Sequence, residues 1–179
     1  RFDAMYLGYL AAPVQAALVG EVVEKLANPG CVVVLDPVMG DNGNLYRGFD
    51  DRRIAAARSL CGKANVLVPN LTEAALLLGR DYDPHPNVAA LDSILEGLLA
   101  LGPDTVILTG VPGDGDRLGI AGKCRGGDVF TYFHEKAARG YFGTGDIFAS
   151  VCFSSLVNGK SLEAASASGA DFVCDSIDA

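Results

Sequence analysis

Short apolar runs alternate with longer segments of helical periodicity along the first two thirds of the chain. The run at residues 31–35 is rich in valine, which is typical of a strand buried on both faces. We predict strands at residues 4–9, 31–35, 64–68 and 104–109, and helices at 13–27, 51–61, 70–78 and 88–101. This alternation predicts an α/β fold with a mostly parallel central sheet flanked by helices, an α/β/α sandwich.

The pattern changes in the last third of the chain. Residues 117–124 and 128–134 alternate in polarity on either side of a glycine turn, which predicts a β-hairpin. Two helices should follow, at 143–157 and 162–175. Earlier in the chain, Asn28-Pro29-Gly30 predicts a stop after the first helix, and residues 37–50 predict a polar loop.

Composition and charge narrow the class of partner. The chain has 179 residues and a net charge of −8, and its lysines and arginines form no basic cluster, so we expect one domain and no nucleic-acid partner. Five scattered cysteines disfavour a disulfide framework or a zinc site and fit a reducing cytoplasm. No apolar run reaches transmembrane length, so we expect no membrane partner.

Polar residues directly follow the predicted strands. In layered α/β folds, ligands bind outside the carboxyl ends of the strands. The positions to consider are therefore Asp36, Asn70, Thr109 and the glycine turn before the last two helices.

The glycine turn Gly143-Thr144-Gly145-Asp146 is the strongest local motif. Two glycines let the backbone approach a ligand closely, and a helix start presents free N–H groups that suit a phosphate. An acid in that first turn can take a proton from an attacking hydroxyl. The same residues also fit an ordinary helix start whose aspartate favours the dipole.

Acids near two other strand ends suggest a metal site. Asp36 at the end of a buried strand is well placed for Mg²⁺, and Asp41 and Tyr46 follow on the next loop, near any phosphate tail. Asn70 and Glu73 have the spacing of a capping box, and a carboxylate fixed in that way is also preorganised toward a metal. Ordinary turn and cap chemistry is the alternative for both segments.

Two further positions are weaker candidates when taken singly. Thr109-Gly110 at a strand end could contact phosphate, although it is also a common strand-to-loop transition. Tyr9 could stack on an aromatic substrate, or it could be a partly buried core side chain.

The order of these motifs is more specific than any one of them, and it resembles the ribokinase superfamily. Within that superfamily the chain is similar to the pyridoxal (pyridoxine, pyridoxamine) kinase family, over nearly its whole length. The matching segments are Gly8-Tyr9-Leu10, Asp36-Pro-Val-Met-Gly-Asp-Asn-Gly-Asn-Leu-Tyr46, Pro69-Asn70-x-x-Glu73-Ala74, Thr109-Gly110 and Phe142-Gly-Thr-Gly-Asp-Ile-Phe148.

The resemblance implies a ribokinase-like fold and an ATP-dependent kinase that phosphorylates the 5′-hydroxymethyl group of a B6 vitamer. It implies that Asp146 is the base and contacts the substrate, and that the amides of Gly143, Thr144 and Gly145 form the anion hole. The other implied roles are Mg²⁺ binding by Asp36, Glu73 and Asn70, contact with ATP by Asp41, Tyr46, Thr109 and Thr144, and stacking on the pyridine ring by Tyr9. Family members also use a monovalent cation, usually K⁺, and commonly form homodimers.

The resemblance also bears on domain organisation. We expect residues 1–179 to form one ribokinase-like kinase domain that is incomplete at its N-terminus and at its C-terminus. Members of the family carry an N-terminal portion with further strands and much of the vitamin pocket.

Three other functions stay open from the sequence. A hydroxymethylpyrimidine kinase shares the Gly-Thr-Gly-Asp chemistry and differs mainly in its pocket. A non-catalytic nucleotide- or vitamin-binding protein would have no need of a base at Asp146. A dehydrogenase is disfavoured because Phe148 stands where the dinucleotide fingerprint needs its third glycine.

Overall fold

A computed structural model describes residues 1–136, 141 and 143–178 of the chain. Phe142, which belongs to the last matching segment, lies outside the described residues. The strands are β1 (Phe2–Leu7), β2 (Ala27–Leu35), β3 (Gly40–Asp41), β4 (Asn44–Leu45), β5 (Val66–Leu67), β6 (Thr105–Pro112), β7 (Arg117–Cys124) and β8 (Val129–Glu135). The helices are α1 (Val14–Leu26), α2 (Asp51–Cys61), α3 (Leu71–Leu78), α4 (Val88–Leu99), α5 (Thr144–Val157) and α6 (Leu162–Asp178).

The central sheet has the order β1-β2-β5-β6-β7-β8. The first four of these strands are parallel, and β7 and β8 are antiparallel to their neighbours. The parallel strands therefore all end at the same edge of the sheet. A separate antiparallel pair, β3 and β4, lies in the segment between β2 and α2.

Two apolar layers cover the two faces of the sheet. Successive residues of β2 alternate between them, because side chains of a strand point to opposite faces: Val33 and Leu35 belong to one layer and Val34 to the other. The first layer also holds buried residues of α1 to α4, and the second holds buried residues of α5 and α6. The predicted α/β/α sandwich is confirmed.

Local signals explain where α3 begins and ends. Asn70 and Glu73 form a complete capping box at its N-terminus, and Gly79 ends the helix in the left-handed conformation with a φ of 64°. The bounds predicted for α2 agree with the structure, and the helix predicted at 70–78 begins one residue later, at Leu71.

Several predicted bounds were wrong. Helix α1 ends at Leu26, close to the predicted end. The predicted stop at 28–30 lies inside β2, because β2 already begins with the pairing of Ala27 and Phe2. The register of this pairing shifts before the next pair. Strand β1 ends at Leu7, so Tyr9 follows the strand. Strand β6 runs past Thr109 to Pro112, because its pairing with β7 continues across an irregularity.

The predicted loop at 37–50 contains the β3–β4 hairpin. Asn42 and Gly43 connect its strands with φ values of 49° and 77°, which is the geometry of a tight hairpin turn that favours Asn-Gly. In the part of the chain that the structure describes, no helix is both long and apolar enough to cross a membrane.

Candidate active site

Two of the predicted site residues follow neighbouring parallel strands, and a third lies within the next strand, β6. Asp36 follows β2, and its backbone N–H donates to the carbonyl of Leu7 at the end of β1 over 2.8 Å. Asn70 follows β5 and forms a parallel bridge with Thr109 of β6. The sheet therefore brings together residues that are up to 73 positions apart in sequence.

Asp36 is a buried carboxylate with one defined partner. Its side chain is buried, and its Oδ2 accepts a hydrogen bond of 2.8 Å from the hydroxyl of Tyr6. Burial raises the pKa of Asp36 to about 6, although the Tyr6 hydrogen bond lowers it, and the charge of Asp146 raises it further. Asp146 is therefore close enough to Asp36 for the two charges to interact.

Glu73 is also buried, and both of its oxygens accept backbone hydrogen bonds. Oε2 accepts from the N–H of Asn70 over 2.9 Å, and Oε1 accepts from the N–H of Met39 over 3.0 Å. Burial raises the pKa of Glu73 to about 8, against the effect of the Asn70 hydrogen bond, and the charge of Asp36 adds to the rise. Glu73 thus fixes the segment after Asp36 as well as the start of α3.

Asn70 connects the same two segments. Its Oδ1 accepts from the N–H of Glu73 over 2.9 Å, and its Nδ2 donates to the carbonyl of Gly40 over 2.8 Å. The structure therefore places Asn70 beside Glu73, with its side chain engaged in the helix cap and in the hairpin.

Thr109 lies beside this group, with its backbone tied to the neighbouring strand end. Its N–H donates to the carbonyl of Pro69 over 2.9 Å, and its hydroxyl donates to the same oxygen over 3.4 Å. The hydroxyl keeps its acceptor lone pairs and remains next to Asn70.

The β3–β4 hairpin is held against α3. The N–H of Gly43 donates to the hydroxyl of Thr72 over 2.9 Å, and the ring of Tyr82 lies so close to Gly43 that a Cβ there would be 2.7 Å from the Tyr82 Cδ1. The hairpin carries Asp41, which is exposed, and is followed by Tyr46, whose N–H donates to the Met39 carbonyl.

Tyr46 responds to the charge of the acidic residues. Burial raises the pKa of its hydroxyl, and the charges of Glu73, Asp41, Asp146 and Asp36 raise it further. The charges of these four carboxylates therefore all act on one phenol. Repulsion among them disfavours full ionisation unless a cation is present.

The glycine turn presents the start of α5 to this acidic group. Gly143 is the N-cap with a φ of 86°, and added Cβ atoms at Gly143 and Gly145 would meet open space. Thr144 donates its hydroxyl to the carbonyl of Tyr141 over 3.3 Å. Asp146 lies exposed in the first turn, so its carboxylate can reach a ligand.

Tyr9 belongs to a chain of aromatic side chains. It is 58% exposed, and its ring centroid lies 6.0 Å from that of Phe49, which in turn lies 6.1 Å from Tyr46. The guanidinium of Arg53 lies 4.4 Å from the Phe49 ring and donates to the carbonyl of Leu10. The exposure of Tyr9 does not fit a core side chain.

The sequence analysis missed three contributors to the site. Tyr6, Met39 and Phe49 each contact a predicted site residue, through the Asp36 carboxylate, the Glu73 carboxylate and the Tyr9 ring respectively. Each of the three lies close in sequence to a predicted site residue. Each lies in a strand or loop, and the local sequence pattern does not indicate a polar or aromatic contact.

The donor set fits a hard divalent cation. Asp36 and Glu73 supply carboxylate oxygens, which Mg²⁺ prefers, and Mg²⁺ usually takes one or two protein carboxylates together with water and phosphate oxygens. Among the described residues, no group of three or more His, Cys, Asp or Glu side chains is arranged to hold a metal ion. A cation here would therefore share its coordination with a phosphate ligand.

The chain matches one protein family and several curated proteins whose names describe kinases. A family model described as phosphomethylpyrimidine kinase matches residues 1–179. The pyridoxal kinase of Ovis aries is 32% identical over 169 residues, which cover 84% of this chain and 53% of that protein. The chain thus spans about half the length of the curated relatives it matches.

Solved structures share the fold closely. A protein from Bacteroides thetaiotaomicron, described as a candidate phosphomethylpyrimidine kinase and crystallised with pyridoxal, is 35% identical with a TM-score of 0.93, covering 98% of this chain and 62% of its own. The pyridoxal kinase of Staphylococcus aureus in complex with ADP is 27% identical with a TM-score of 0.82, covering 98% of this chain and 62% of its own.

Proposed function

The chain belongs to the phosphomethylpyrimidine kinase family, and on that premise we propose that its protein is an ATP-dependent kinase for the 5′-hydroxymethyl group of pyridoxal, pyridoxamine or pyridoxine. The observation that carries the proposal is the pair of buried carboxylates of Asp36 and Glu73, together with the exposed Asp146 in the first turn of α5, whose charge acts on Asp36. Buried acids suit a cation, and an exposed acid at a helix start suits proton transfer.

Asp146 is the proposed base. Its carboxylate takes the proton of the hydroxymethyl group while the oxygen bonds to the γ-phosphorus of ATP, and the bond from that phosphorus to the leaving oxygen of ADP breaks. The backbone N–H groups of Gly143, Thr144 and Gly145 stabilise the transferring phosphoryl group at the positive end of α5. The left-handed φ of Gly143 turns the chain into that position.

Asp36 and Glu73, with Asn70 beside them, would hold Mg²⁺. When bound, Mg²⁺ neutralises charge on the ATP phosphates. The backbone hydrogen bonds to Glu73 fix its carboxylate in advance. Replacing Asp36 or Glu73 by alanine should therefore raise the Mg²⁺ concentration needed for turnover.

The remaining site residues would position the two substrates. Asp41, Tyr46, Thr109 and Thr144 would line the ATP phosphates, and Tyr9 would stack on the pyridine ring. The aromatic chain from Tyr9 through Phe49 supports that role, because it holds an exposed ring near the acidic site. A K⁺ ion near the nucleotide, a homodimer and a cytoplasmic location complete the proposal.

A second candidate function is phosphorylation of hydroxymethylpyrimidine, which the description of the matching family model favours. It needs the same base, anion hole and cation, and it differs in the ring that the pocket accepts.

Release of ADP by the full-length protein with Mg-ATP tests both candidates. Pyridoxal, pyridoxamine, pyridoxine and hydroxymethylpyrimidine should be compared as acceptors. Turnover with the B6 vitamers that Asp146→Asn abolishes would support the proposal. Turnover with the pyrimidine alone would keep the mechanism and change the substrate. No turnover with any of them would leave a non-catalytic binding protein or a kinase of the same superfamily for a different alcohol.

A further inference from the structure

Tyr6 connects three parts of the site. It lies in β1, its hydroxyl donates to Oδ2 of Asp36 over 2.8 Å, and its ring centroid lies 5.9 Å from that of Phe153 in α5. Phe153 lies seven residues after Asp146, and residues seven apart lie on the same side of a helix. Tyr6 therefore contacts both the proposed cation ligand and the helix that carries the proposed base.

The hydrogen bond restricts how Asp36 can meet a cation. The Tyr6 hydroxyl donates to Oδ2 and so orients the carboxylate, and among the described residues Oδ1 accepts no hydrogen bond. Asp36 is only 6% exposed, so few other groups can hold it in this orientation.

We propose that Tyr6 is a positioning residue that fixes Asp36 for one-oxygen coordination and thereby favours Mg²⁺ over Ca²⁺ at this site; the inference rests on the proposed function for its cation site. Mg²⁺ demands near-octahedral geometry with short bonds, whereas Ca²⁺ accepts more ligands and commonly takes both oxygens of a carboxylate. A carboxylate that offers one fixed oxygen suits the smaller ion.

The substitution Tyr6→Phe removes the hydroxyl and keeps the ring against Phe153. Loss of an outer hydrogen bond to a metal ligand commonly weakens metal binding on the order of 10-fold or more. We expect weaker Mg²⁺ binding of that order and a smaller loss for Ca²⁺, because the freed Oδ2 can then join the coordination of the larger ion.

Tyr132 provides a matched control. Its hydroxyl donates to the Asp171 carboxylate between β8 and α6, and its ring packs on the same apolar layer as Tyr6. Tyr132→Phe therefore removes the same kind of hydrogen bond away from the site, and it should leave metal affinity unchanged.

Binding of Mn²⁺ to the full-length protein tests the inference directly. The electron paramagnetic resonance signal of free Mn²⁺ gives its affinity, and competition with Mg²⁺ and with Ca²⁺ gives theirs. The expected result is weaker Mn²⁺ and Mg²⁺ binding and a smaller preference for Mg²⁺ over Ca²⁺ in Tyr6→Phe alone. Equal affinities in Tyr6→Phe and the unsubstituted protein, an equal loss in Tyr132→Phe, or no Mn²⁺ binding by the unsubstituted protein would each overturn it.

The same preparations separate this inference from the proposed function. Tyr6-dependent metal binding without ADP release from any acceptor would overturn the function and keep the role of Tyr6. Normal ADP release together with metal affinities that Tyr6→Phe does not change would keep the proposed function and overturn the role of Tyr6.

Discussion

The acids of the site differ in environment, and that difference separates their roles. Asp36 and Glu73 are buried, and burial raises the pKa of each carboxyl because a charged group loses its hydration there. Asp146 is exposed in the first turn of α5, where its carboxylate can reach a ligand. This difference supports the proposed division of roles, in which the buried pair binds a cation and the exposed acid takes a proton.

The substitution Asp146→Asn should abolish turnover while nucleotide binding persists. Asparagine keeps the size of the side chain but cannot accept the proton, and loss of a general base costs roughly 10²- to 10⁴-fold in rate. Steady-state kcat for ADP release and the equilibrium affinity for a non-hydrolysable ATP analogue should be measured together.

Glu163→Gln is the matched control for that substitution. Glu163 is the acidic residue in the first turn of α6, so its replacement changes a helix dipole interaction without touching the glycine turn. It should leave kcat unchanged. If Asp146→Asn weakened nucleotide binding as much as it lowered kcat, the role of Asp146 would be electrostatic binding and not proton transfer.

At the scale of elements, signals that act over a few residues were readable from the sequence. The capping box at Asn70 and Glu73, the bounds of α2 and the end of α3 agree with the structure, because short-range hydrogen bonds determine them. The β3–β4 hairpin was predicted only as part of a polar loop, since its strands are two residues long.

Contacts over long sequence distances were not readable. The bond from Tyr6 to Asp36 spans 30 residues and depends on the register of β1 against β2, which the pattern of apolar residues does not specify. The extension of β2 back to Ala27 has the same origin, because pairing with Phe2 overrode a Pro-Gly stop signal. The candidate site residues could be named from the sequence, but the contacts that support them could not.

The contacts of the β3–β4 hairpin with Thr72 of α3 and with Tyr82 should hold Asp41 and Tyr46 in position. Gly43→Ala should raise the KM for ATP and destabilise the protein, because alanine at a φ of 77° is strained and its Cβ would lie 2.7 Å from the Tyr82 ring. The strain costs roughly 1 to 2 kcal/mol, and the collision must also move the hairpin or the ring. Urea unfolding and initial rates against ATP concentration measure the two effects.

Gly126→Ala isolates the contribution of the collision. Gly126 lies in the turn between β7 and β8 with a φ of 74°, and a Cβ there would meet open space. The control should therefore lose a similar amount of stability to backbone strain alone and keep its KM for ATP. Equal KM values for the two variants would show that the hairpin does not position the nucleotide.

For the whole molecule, the site is a concentration of negative charge in an acidic protein. The net charge is −8, and the charges of four carboxylates act on Tyr46. The fold holds these acids together through the sheet and the two apolar layers, so their mutual repulsion opposes the folded state whenever they are ionised. A cation relieves that repulsion only when the protein is folded, which couples metal binding to stability.

That coupling predicts how stability depends on pH. The pKa of Asp36 rises from 3.8 to about 6 on folding and that of Glu73 from 4.5 to about 8, so the folded state binds more protons than the unfolded state between these values. The contribution of these two acids to the free energy of unfolding should therefore be highest at the acidic end and fall as the pH rises from roughly 4 to 8. Urea unfolding in the absence of divalent cations, repeated with Mg²⁺, measures this dependence.

Mg²⁺ should flatten the decline, because it binds the ionised carboxylates of the folded state and takes the place of the lost protons. Asp36→Asn should flatten the lower part of the same window without any metal, since its side chain stays neutral and can still accept from Tyr6. A free energy of unfolding that rises with pH over this window would contradict the raised pKa values of Asp36 and Glu73. A decline that Mg²⁺ leaves unchanged would show that these buried acids do not bind the cation.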